Sequence, residues 1–190
     1  MFIKSDSLPA SYLQNTLQYE GGYVNRSDDK GGETNRGITI GTLQNAIQKG
    51  VVSKSVTIRS LTNDLESVRK IYNDLYYAKA KCFLIPHPLA FAHFDASVHH
   101  GVGGAIKLLQ QTLNKFNGNL TVDGGFGPLT IKVLDAIILK VAMKILIDTY
   151  QDMRVAKFNS IIAKDPTQKV FINGWLNRAA MVRAWCHQQE

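Results

Sequence analysis

The sequence has little of what a disulfide-rich, fibrous or disordered protein would need. Only two of its 190 residues are cysteines, Cys82 and Cys186, which is too few for a disulfide-stapled scaffold. Their spacing fits no zinc or redox motif, so free buried thiols are favoured over one long-range bridge. Hydrophobic residues make up 45% of the chain, which is more than a disordered chain contains. The composition and length therefore predict one folded unit with a substantial core.

Long apolar runs are also missing. Residues 1–12 include two charged residues and a proline, so they do not resemble a signal peptide. The most apolar stretch, residues 136–147, is interrupted by Lys140 and Lys144 and is too short to cross a bilayer. We expect this stretch to form a buried helix, and the chain to have no membrane span.

Charge is moderate in amount but biased in sign. The chain has 22 Lys and Arg against 15 Asp and Glu, which gives a net charge of +7. This bias favours a polyanionic partner: nucleic acid, an anionic membrane surface or an anionic cell-wall polymer. No block of five or more basic residues is present, so the sequence does not indicate a nucleic-acid arm.

Hydrophobic periodicity predicts a mainly α-helical protein. The segment 60–79 is strongly amphipathic, with Tyr72 and Tyr76 on its apolar face. The least helical part, from Gly21 to Gly37, is rich in glycine, asparagine and aspartate and is predicted to be a loop or small hairpin. Helices are predicted at about residues 7–20, 41–49, 60–79, 89–99, 104–116, 128–163 with room for a break, and 172–188.

A carboxylate stands where the first helix ends. Ala10, Leu13 and Leu17 form an apolar stripe with spacings of three and four, and Glu20 is the next position on it. Burial beside apolar residues and the negative end of the helix dipole both favour the protonated form of such a group. A protonated carboxyl is what a glycosidase needs to protonate a leaving sugar oxygen. The alternative is a solvated helix-end residue, or a hydrogen-bond partner of the following loop.

Further polar residues follow in the loop. Asp29, next to Asp28, is expected to stay ionised, so that Glu20 and Asp29 would form the carboxyl pair of glycoside hydrolysis. The alternative for both aspartates is an Asx turn or simple solvation. The spacing leaves both inversion and retention of the anomeric centre open.

Four more residues are candidates for contact with a sugar. Thr34, Asn35 and Thr39 could position a water or a sugar hydroxyl, or else form turns and cap the next helix. Tyr23 could stack on a sugar ring, although packing within the protein is the more common role of such a residue.

Two blocks of residues resemble glycoside hydrolase family 108, a family of lysozyme-like N-acetylmuramidases found in phage endolysins and bacterial genomes. The first block is Glu20-Gly21-Gly22-Tyr23-Val24-Asn25, Asp29, Gly31-Gly32-Glu33-Thr34-Asn35 and Gly37-Ile38-Thr39. The second is similar to the peptidoglycan-binding-type region of this family: Phe94-Asp95-Ala96-Ser97-Val98, Leu108-Leu109-Gln110, Val122-Asp123-Gly124 and Gly127-Pro128-Leu129-Thr130. The sequence departs from the family in lacking the loop proline, replaced by Ser27-Asp28-Asp29-Lys30, and in having His99-His100 after Val98.

The resemblance implies a mainly α, lysozyme-like fold with a small irregular hairpin at the active site. It implies a single unit with a catalytic part at about residues 7–90 and a peptidoglycan-binding-type part at 91–188. The implied activity is cleavage of the β-1,4 bond between N-acetylmuramic acid and N-acetylglucosamine. Glu20 would be the general acid and Asp29 would hold the water. Thr34, or less favourably Asn35, would take the third position around the cleaved bond, with Tyr23 and Thr39 as further substrate-binding residues.

Outside the loop, we expect Asp95 to be a buried hydrogen-bonding residue and Asp123-Gly124 to form a turn before a helix. His93, His99 and His100 could suggest a metallopeptidase, but no HExxH motif is present and the last two are adjacent. The stronger rival is a non-catalytic wall-binding or structural module.

The expected partners are peptidoglycan glycan strands and the anionic wall surface, and no nucleic acid is expected to bind. No cofactor or metal is expected. The protein is expected to be a monomer. We expect synthesis in the cytoplasm without a signal peptide. Action at the peptidoglycan layer would then follow release through a holin-type pore or delivery by a secretion machine.

Overall fold

The computed structural model describes residues 5–25 and 33–189. These residues divide into two compact units, Ser5–Ala78 and residues 79–189. Helices dominate the described residues, and the strands found among them form one small two-stranded sheet. The predicted mainly α class with a small hairpin is therefore confirmed.

The unit Ser5–Ala78 is built from short elements. Its regular elements are α1 (Ala10–Thr16), β1 (Thr34–Asn35), β2 (Ile38–Thr39), α2 (Ile40–Gln48) and α3 (Leu65–Tyr72), with 3₁₀ turns at Leu17–Tyr19 and Ser60–Thr62 and a π-helical turn at Asn73–Tyr77. β1 and β2 are antiparallel, with Thr34 opposite Thr39 and Asn35 opposite Ile38. The predicted loop or hairpin is thus a hairpin where the structure describes it.

The end of α1 differs from the prediction. The chain tightens into a 3₁₀ turn at Leu17–Tyr19, and Glu20 then adopts an extended conformation. Because a 3₁₀ turn has three residues per turn, the 3.6-residue stripe ends at Leu17 and does not continue to Glu20. The buried residues of α1 are Tyr12, Leu13 and Thr16.

Two longer predictions also fail in detail. The predicted helix 60–79 is interrupted because the Asp64 carboxylate accepts a hydrogen bond from Ser67 N at 3.0 Å and starts α3 there. The apolar stretch 136–147 is not one buried helix. It ends one helix at Ile138, turns, and starts another at Met143, and Leu139 in the turn is 82% exposed.

The unit formed by residues 79–189 is built from longer helices: α4 (Leu89–His100), α5 (Val102–Asn114), α6 (Pro128–Ile138), α7 (Met143–Lys164) and α8 (Ile172–Gln188). α4 packs against α5, α7 and α8, and every residue from Leu89 to Ser97 is buried. Pro128 stands in the first turn of α6, where its missing N–H costs nothing.

Two further findings concern this unit and the chain as a whole. Cys82 and Cys186 are both buried thiols that are not joined in a disulfide, which confirms the favoured interpretation. Within residues 5–25 and 33–189, no helix combines the length and apolar character needed to cross a bilayer.

Candidate active site

Glu20 begins a segment that pairs with the hairpin. Val24 and Thr34 exchange two backbone hydrogen bonds, at 2.8 and 2.9 Å, and Arg36 N donates to the Gly21 carbonyl at 3.0 Å. The residues that follow Glu20 therefore lie antiparallel to β1. This pairing brings Glu20 to the turn of the hairpin.

The turn accepts the carboxylate because it contains a glycine. Arg36 and Gly37 both have positive φ, 49° and 71°, as a two-residue type I′ hairpin requires. A Cβ at residue 37 would lie 3.1 Å from Glu20 Oε2 and 3.2 Å from Tyr72 Oη. These distances are shorter than ordinary van der Waals contact, so glycine alone leaves the present packing of Glu20 and Tyr72 undisturbed.

Two tyrosines complete the surroundings of Glu20. Tyr72, the last residue of α3, is buried and its hydroxyl donates to the Arg36 carbonyl at 2.7 Å. The ring of Tyr76 lies 5.4 Å from that of Tyr72 between centroids. Burial and, as a second cause, the negative charge of Glu20 raise the pKa of Tyr76, so Tyr76 also lies within electrostatic range of the carboxylate.

Sequence reasoning missed the role of these tyrosines because it counted them as core residues of an amphipathic helix. A signal was available: they are four residues apart, and a buried tyrosine hydroxyl needs a polar partner. The π-helical turn that carries Tyr76 follows directly after Tyr72. Such turns are found frequently at functional sites.

The hairpin is fixed to the chain at 58–62 by two side chains. Asn35 is 1% exposed, and its Nδ2 donates to the Ile58 carbonyl and to Thr62 Oγ1, each at 2.9 Å. Arg36 donates to the carbonyls of Leu61 and Thr62. Asn35 was predicted to bind substrate, but this buried position favours an anchoring role instead.

The other predicted residues have varied surroundings. Thr39 caps α2, accepting from Thr42 N at 3.2 Å, which is the alternative that the sequence left open. Thr34 is half-buried between Val24 and β2. Tyr23 is half-buried, and the Arg59 guanidinium lies 5.3 Å from its ring centroid, a cation–π distance. Their roles towards substrate stay predictions.

Asp29 and its neighbour Asp28 lie outside the described residues. Of the two predicted catalytic carboxylates, the structure therefore describes Glu20. A half-buried carboxyl packed on a glycine turn and beside tyrosines can donate a proton to a leaving oxygen, which is the chemistry predicted for it.

Several polar residues of the second unit are buried in its core. His93 is buried, with Nδ1 3.1 Å from Tyr150 Oη and Nε2 3.0 Å from the Ala80 carbonyl. Among the described residues, no three His, Cys, Asp or Glu side chains are grouped as a metal site requires. The contacts of His93 support a structural role for this residue.

Asp95 is completely buried between two arginines. Its Oδ2 lies 2.8 Å from Arg154 Nη2 and its Oδ1 lies 2.9 Å from Arg178 Nη2. Burial alone would raise the pKa of this carboxyl, but the charges of Arg154 and Arg178 outweigh it and lower the pKa overall. The prediction of a buried, hydrogen-bonded Asp95 is confirmed.

The fold, with its helices and a carboxylate beside a small hairpin, is that of a lysozyme-like protein, and the class of the protein is glycoside hydrolase. Residues 13–101 match the family model described as Glycosyl hydrolase 108, and residues 104–180 match the one described as Predicted Peptidoglycan domain. Residues 13–101 thus belong to glycosyl hydrolase family 108, and the chain is a peptidoglycan hydrolase with a peptidoglycan domain.

A solved structure supports the same assignment. The chain is similar to the one titled "Structure of Brucella abortus SagA", with 27% identity, a TM-score of 0.68, and coverage of 94% of this chain and 93% of the other. No curated protein matches. The family models meet between residues 101 and 104, whereas the compact units divide after Ala78. The predicted division after residue 90 stays a prediction.

Proposed function

We propose that the chain cleaves the β-1,4 bond between N-acetylmuramic acid and N-acetylglucosamine, with Glu20 as the general acid. The observation that carries this proposal is the close packing of the Glu20 carboxylate against the Gly37 turn, where a Cβ at residue 37 would lie only 3.1 Å from Glu20 Oε2. The carboxyl therefore lies directly against the turn of the hairpin. A general acid needs such positioning, because proton transfer requires hydrogen-bond distance from the leaving oxygen.

The proposed reaction is direct hydrolysis. The bond between C1 of N-acetylmuramic acid and the bridging oxygen breaks, and the Glu20 proton passes to that oxygen as N-acetylglucosamine leaves. A water that Asp29 holds and deprotonates forms the new bond to C1. Exchange of protons with solvent then restores both carboxyl groups.

We also propose that the protein acts as a monomer at the peptidoglycan layer, after release through a holin-type pore or delivery by a secretion machine. The peptidoglycan domain supports contact with the wall glycan. The net charge of +7 supports attraction to an anionic wall surface, and this attraction is expected to weaken with salt.

The experiment compares the protein with Glu20→Gln on insoluble peptidoglycan and identifies released fragments by mass after borohydride reduction. We expect new reduced N-acetylmuramic acid ends, formed about 10²–10⁴-fold more slowly by the variant, because general acid catalysis contributes a factor of that size. Glu66→Gln is the matched control. Glu66 carries the same carboxyl in the same unit but forms an exposed pair with Arg69, so full activity is expected.

Four results would contradict the proposal. Undiminished activity of Glu20→Gln would remove Glu20 from the mechanism. Reduced N-acetylglucosamine ends would identify a different bond. New free amines without new reducing ends would indicate a peptidase, and binding to the wall without any release would support the non-catalytic module.

A further inference from the structure

A basic groove runs between α5 and α7 in the unit formed by residues 79–189. Its volume is about 560 Å³, within the range of about 300–1,000 Å³ typical of ligand sites. It is lined by Lys107 of α5, by Lys115 directly after α5, and by Lys157 of α7. Its ten lining residues include no carboxylate and no aromatic ring.

The spacing of the lining residues explains why the charges converge. Lys107 and Gln111 are four residues apart on one face of α5, and Lys115, the helical C-cap residue that follows α5, continues the same spacing. Lys157 and Ser160 are three apart on α7 and share a face in the same way. Two helix faces thus turn three ammonium groups and further hydrogen-bonding side chains towards one groove.

Two glycines determine where these lysines lie. A Cβ at Gly124, whose φ is 83°, would come 3.2 Å from Lys107 Cε, so the stem of Lys107 packs on this turn. A Cβ at Gly104 would lie 3.9 Å from Lys157 Nζ. Gly104 itself lines the groove, so its missing side chain leaves space beside the Lys157 ammonium.

The carboxylate close to Lys107 is already engaged. Asp123 Oδ1 accepts hydrogen bonds from Gln110 Nε2 at 2.8 Å and from Gly125 N at 2.7 Å. Lys107 is the smallest of the influences that lower the pKa of Asp123, after these hydrogen bonds. The Lys107 ammonium therefore keeps capacity for an external anion.

We propose that this groove binds the carboxylates of the peptidoglycan stem peptides. The inference rests on the proposed function and deepens it by naming the part of the polymer that the second unit holds. The sugars of a peptide-bearing glycan strand are uncharged, because the lactyl carboxyl of N-acetylmuramic acid is amide-linked to the stem peptide. Such sugars are typically bound by aromatic stacking, which the lining of this groove does not offer. Stem peptides carry several carboxylates, which three lysines complement.

The experiment measures co-sedimentation of the Glu20→Gln protein with purified walls, so that digestion does not interfere. The groove variant adds Lys107→Gln, Lys115→Gln and Lys157→Gln. The control variant adds Lys132→Gln, Lys140→Gln and Lys164→Gln, three exposed lysines of the same unit outside the groove. Both variants lose the same charge, and thermal unfolding verifies that both are folded.

We expect the groove variant to bind about tenfold more weakly and the control variant less than about twofold, since three exposed ion pairs together account for about a factor of ten. The free tripeptide L-Ala-γ-D-Glu-meso-diaminopimelate should displace the protein from the walls. The same peptide with its carboxylates converted to carboxamides should not.

The proposal is overturned if both variants lose affinity equally, if the amidated peptide competes as well as the charged one, or if removing phosphate-containing polymers from the walls abolishes binding. Failure of the groove is distinguishable from failure of the proposed function. If the unmodified protein hydrolyses peptidoglycan but binding does not depend on the three lysines, only the groove proposal is wrong. If binding depends on the three lysines but the unmodified protein does not hydrolyse peptidoglycan, only the proposed activity is wrong.

Discussion

Glu20 in the unit Ser5–Ala78 and Asp95 in the unit of residues 79–189 are two carboxylates in opposite surroundings. Glu20 is half-buried at a hairpin turn, beside a glycine and two tyrosines. Asp95 is fully buried in a helical core, with an arginine on each carboxylate oxygen. Asp95 is held ionised and carries structure. Glu20 lies half-buried against the hairpin turn, and it is the carboxyl that we propose as the general acid.

The same comparison separates the two units. The helical unit pairs Asp95 with Arg154 and Arg178 inside its core, where these charges are shielded from any substrate. The hairpin unit uses short elements and a strained turn to place one acidic group. The proposed catalytic carboxyl thus lies on irregular backbone, where functional residues of enzymes are commonly found.

The largest effect is expected at the buried cluster. Asp95→Asn should lower the free energy of unfolding by about 3–5 kcal/mol, because it leaves Arg154 and Arg178 as uncompensated buried charges. Denaturant unfolding measures this loss. Asp152→Asn, at an exposed pair with Arg183, is the control and should cost about 1 kcal/mol or less. Equal losses in the two variants would show that Asp95 is not the charge that holds this core together.

The next effect concerns the buried histidines of the same unit. Burial lowers the pKa of His93 to about 4 from an ordinary 6.5. Between pH 6.5 and about 4, His93 is protonated in the unfolded chain but stays neutral in the folded chain. Stability is therefore full above pH 6.5 and falls as the pH drops towards 4, by on the order of 3 kcal/mol.

Unfolding curves at several pH values test this expectation, and His93→Gln should flatten the slope between pH 6.5 and 4. Burial also lowers the pKa of His99 to about 4 and that of His100 to about 2, so a reduced slope should persist in the variant. A pH-independent free energy across this window would contradict the burial of uncharged histidines.

Two glycines with the same backbone conformation test whether the position of the Glu20 carboxylate matters for activity. Gly37→Ala and Gly50→Ala both place a Cβ at positive φ, 71° and 70°, which costs about 1–2 kcal/mol each. A Cβ at Gly37 would press on Glu20 and Tyr72, whereas nothing lies within 4 Å of one at Gly50. We expect similar melting temperatures but an activity loss of about tenfold or more in Gly37→Ala alone.

Hydrolysis rates on peptidoglycan and thermal unfolding provide the two readouts. Normal activity of Gly37→Ala would mean that the exact position of the Glu20 carboxylate at this turn does not matter for the reaction.

The smallest effect is expected at a pair of tyrosine hydroxyls. Tyr72→Phe removes the hydrogen bond to the Arg36 carbonyl at 2.7 Å, and Tyr77→Phe removes one to the Ser5 carbonyl at 2.6 Å. Each should lower stability by about 1 kcal/mol. Only Tyr72→Phe should also reduce the rate of hydrolysis, since only Tyr72 lies beside Glu20. Equal rates in the two variants would give Tyr72 a purely structural role.

Helices with clear ends were predictable from the sequence. Residues 172–188 and the start at Pro128 agree with the structure because apolar spacing and a helix-starting proline are local signals. The stretch around Leu139 was not predictable in the same way, since hydrophobicity alone does not say which way a side chain points. Leu139 lies in a turn and faces solvent.

The site was predictable in its chemistry but not in its geometry. The choice of Glu20 came from its place at the end of α1 and from family resemblance, although the helical stripe that first suggested it ends at Leu17. The packing of Glu20 and of Tyr72 against Gly37 brings together residues that are 17 and 35 positions away from that glycine along the chain. No local pattern encodes such a contact, because it depends on how α3 packs against the hairpin.

The two buried thiols give this protein a built-in reporter of local opening. Cys82 and Cys186 both belong to the helical unit, and the sequence has no cysteine between residues 5 and 78. A thiol reagent added to the folded protein can react only when the structure around these thiols opens. The labelling rate therefore measures local opening around Cys82 and Cys186 without any engineered probe.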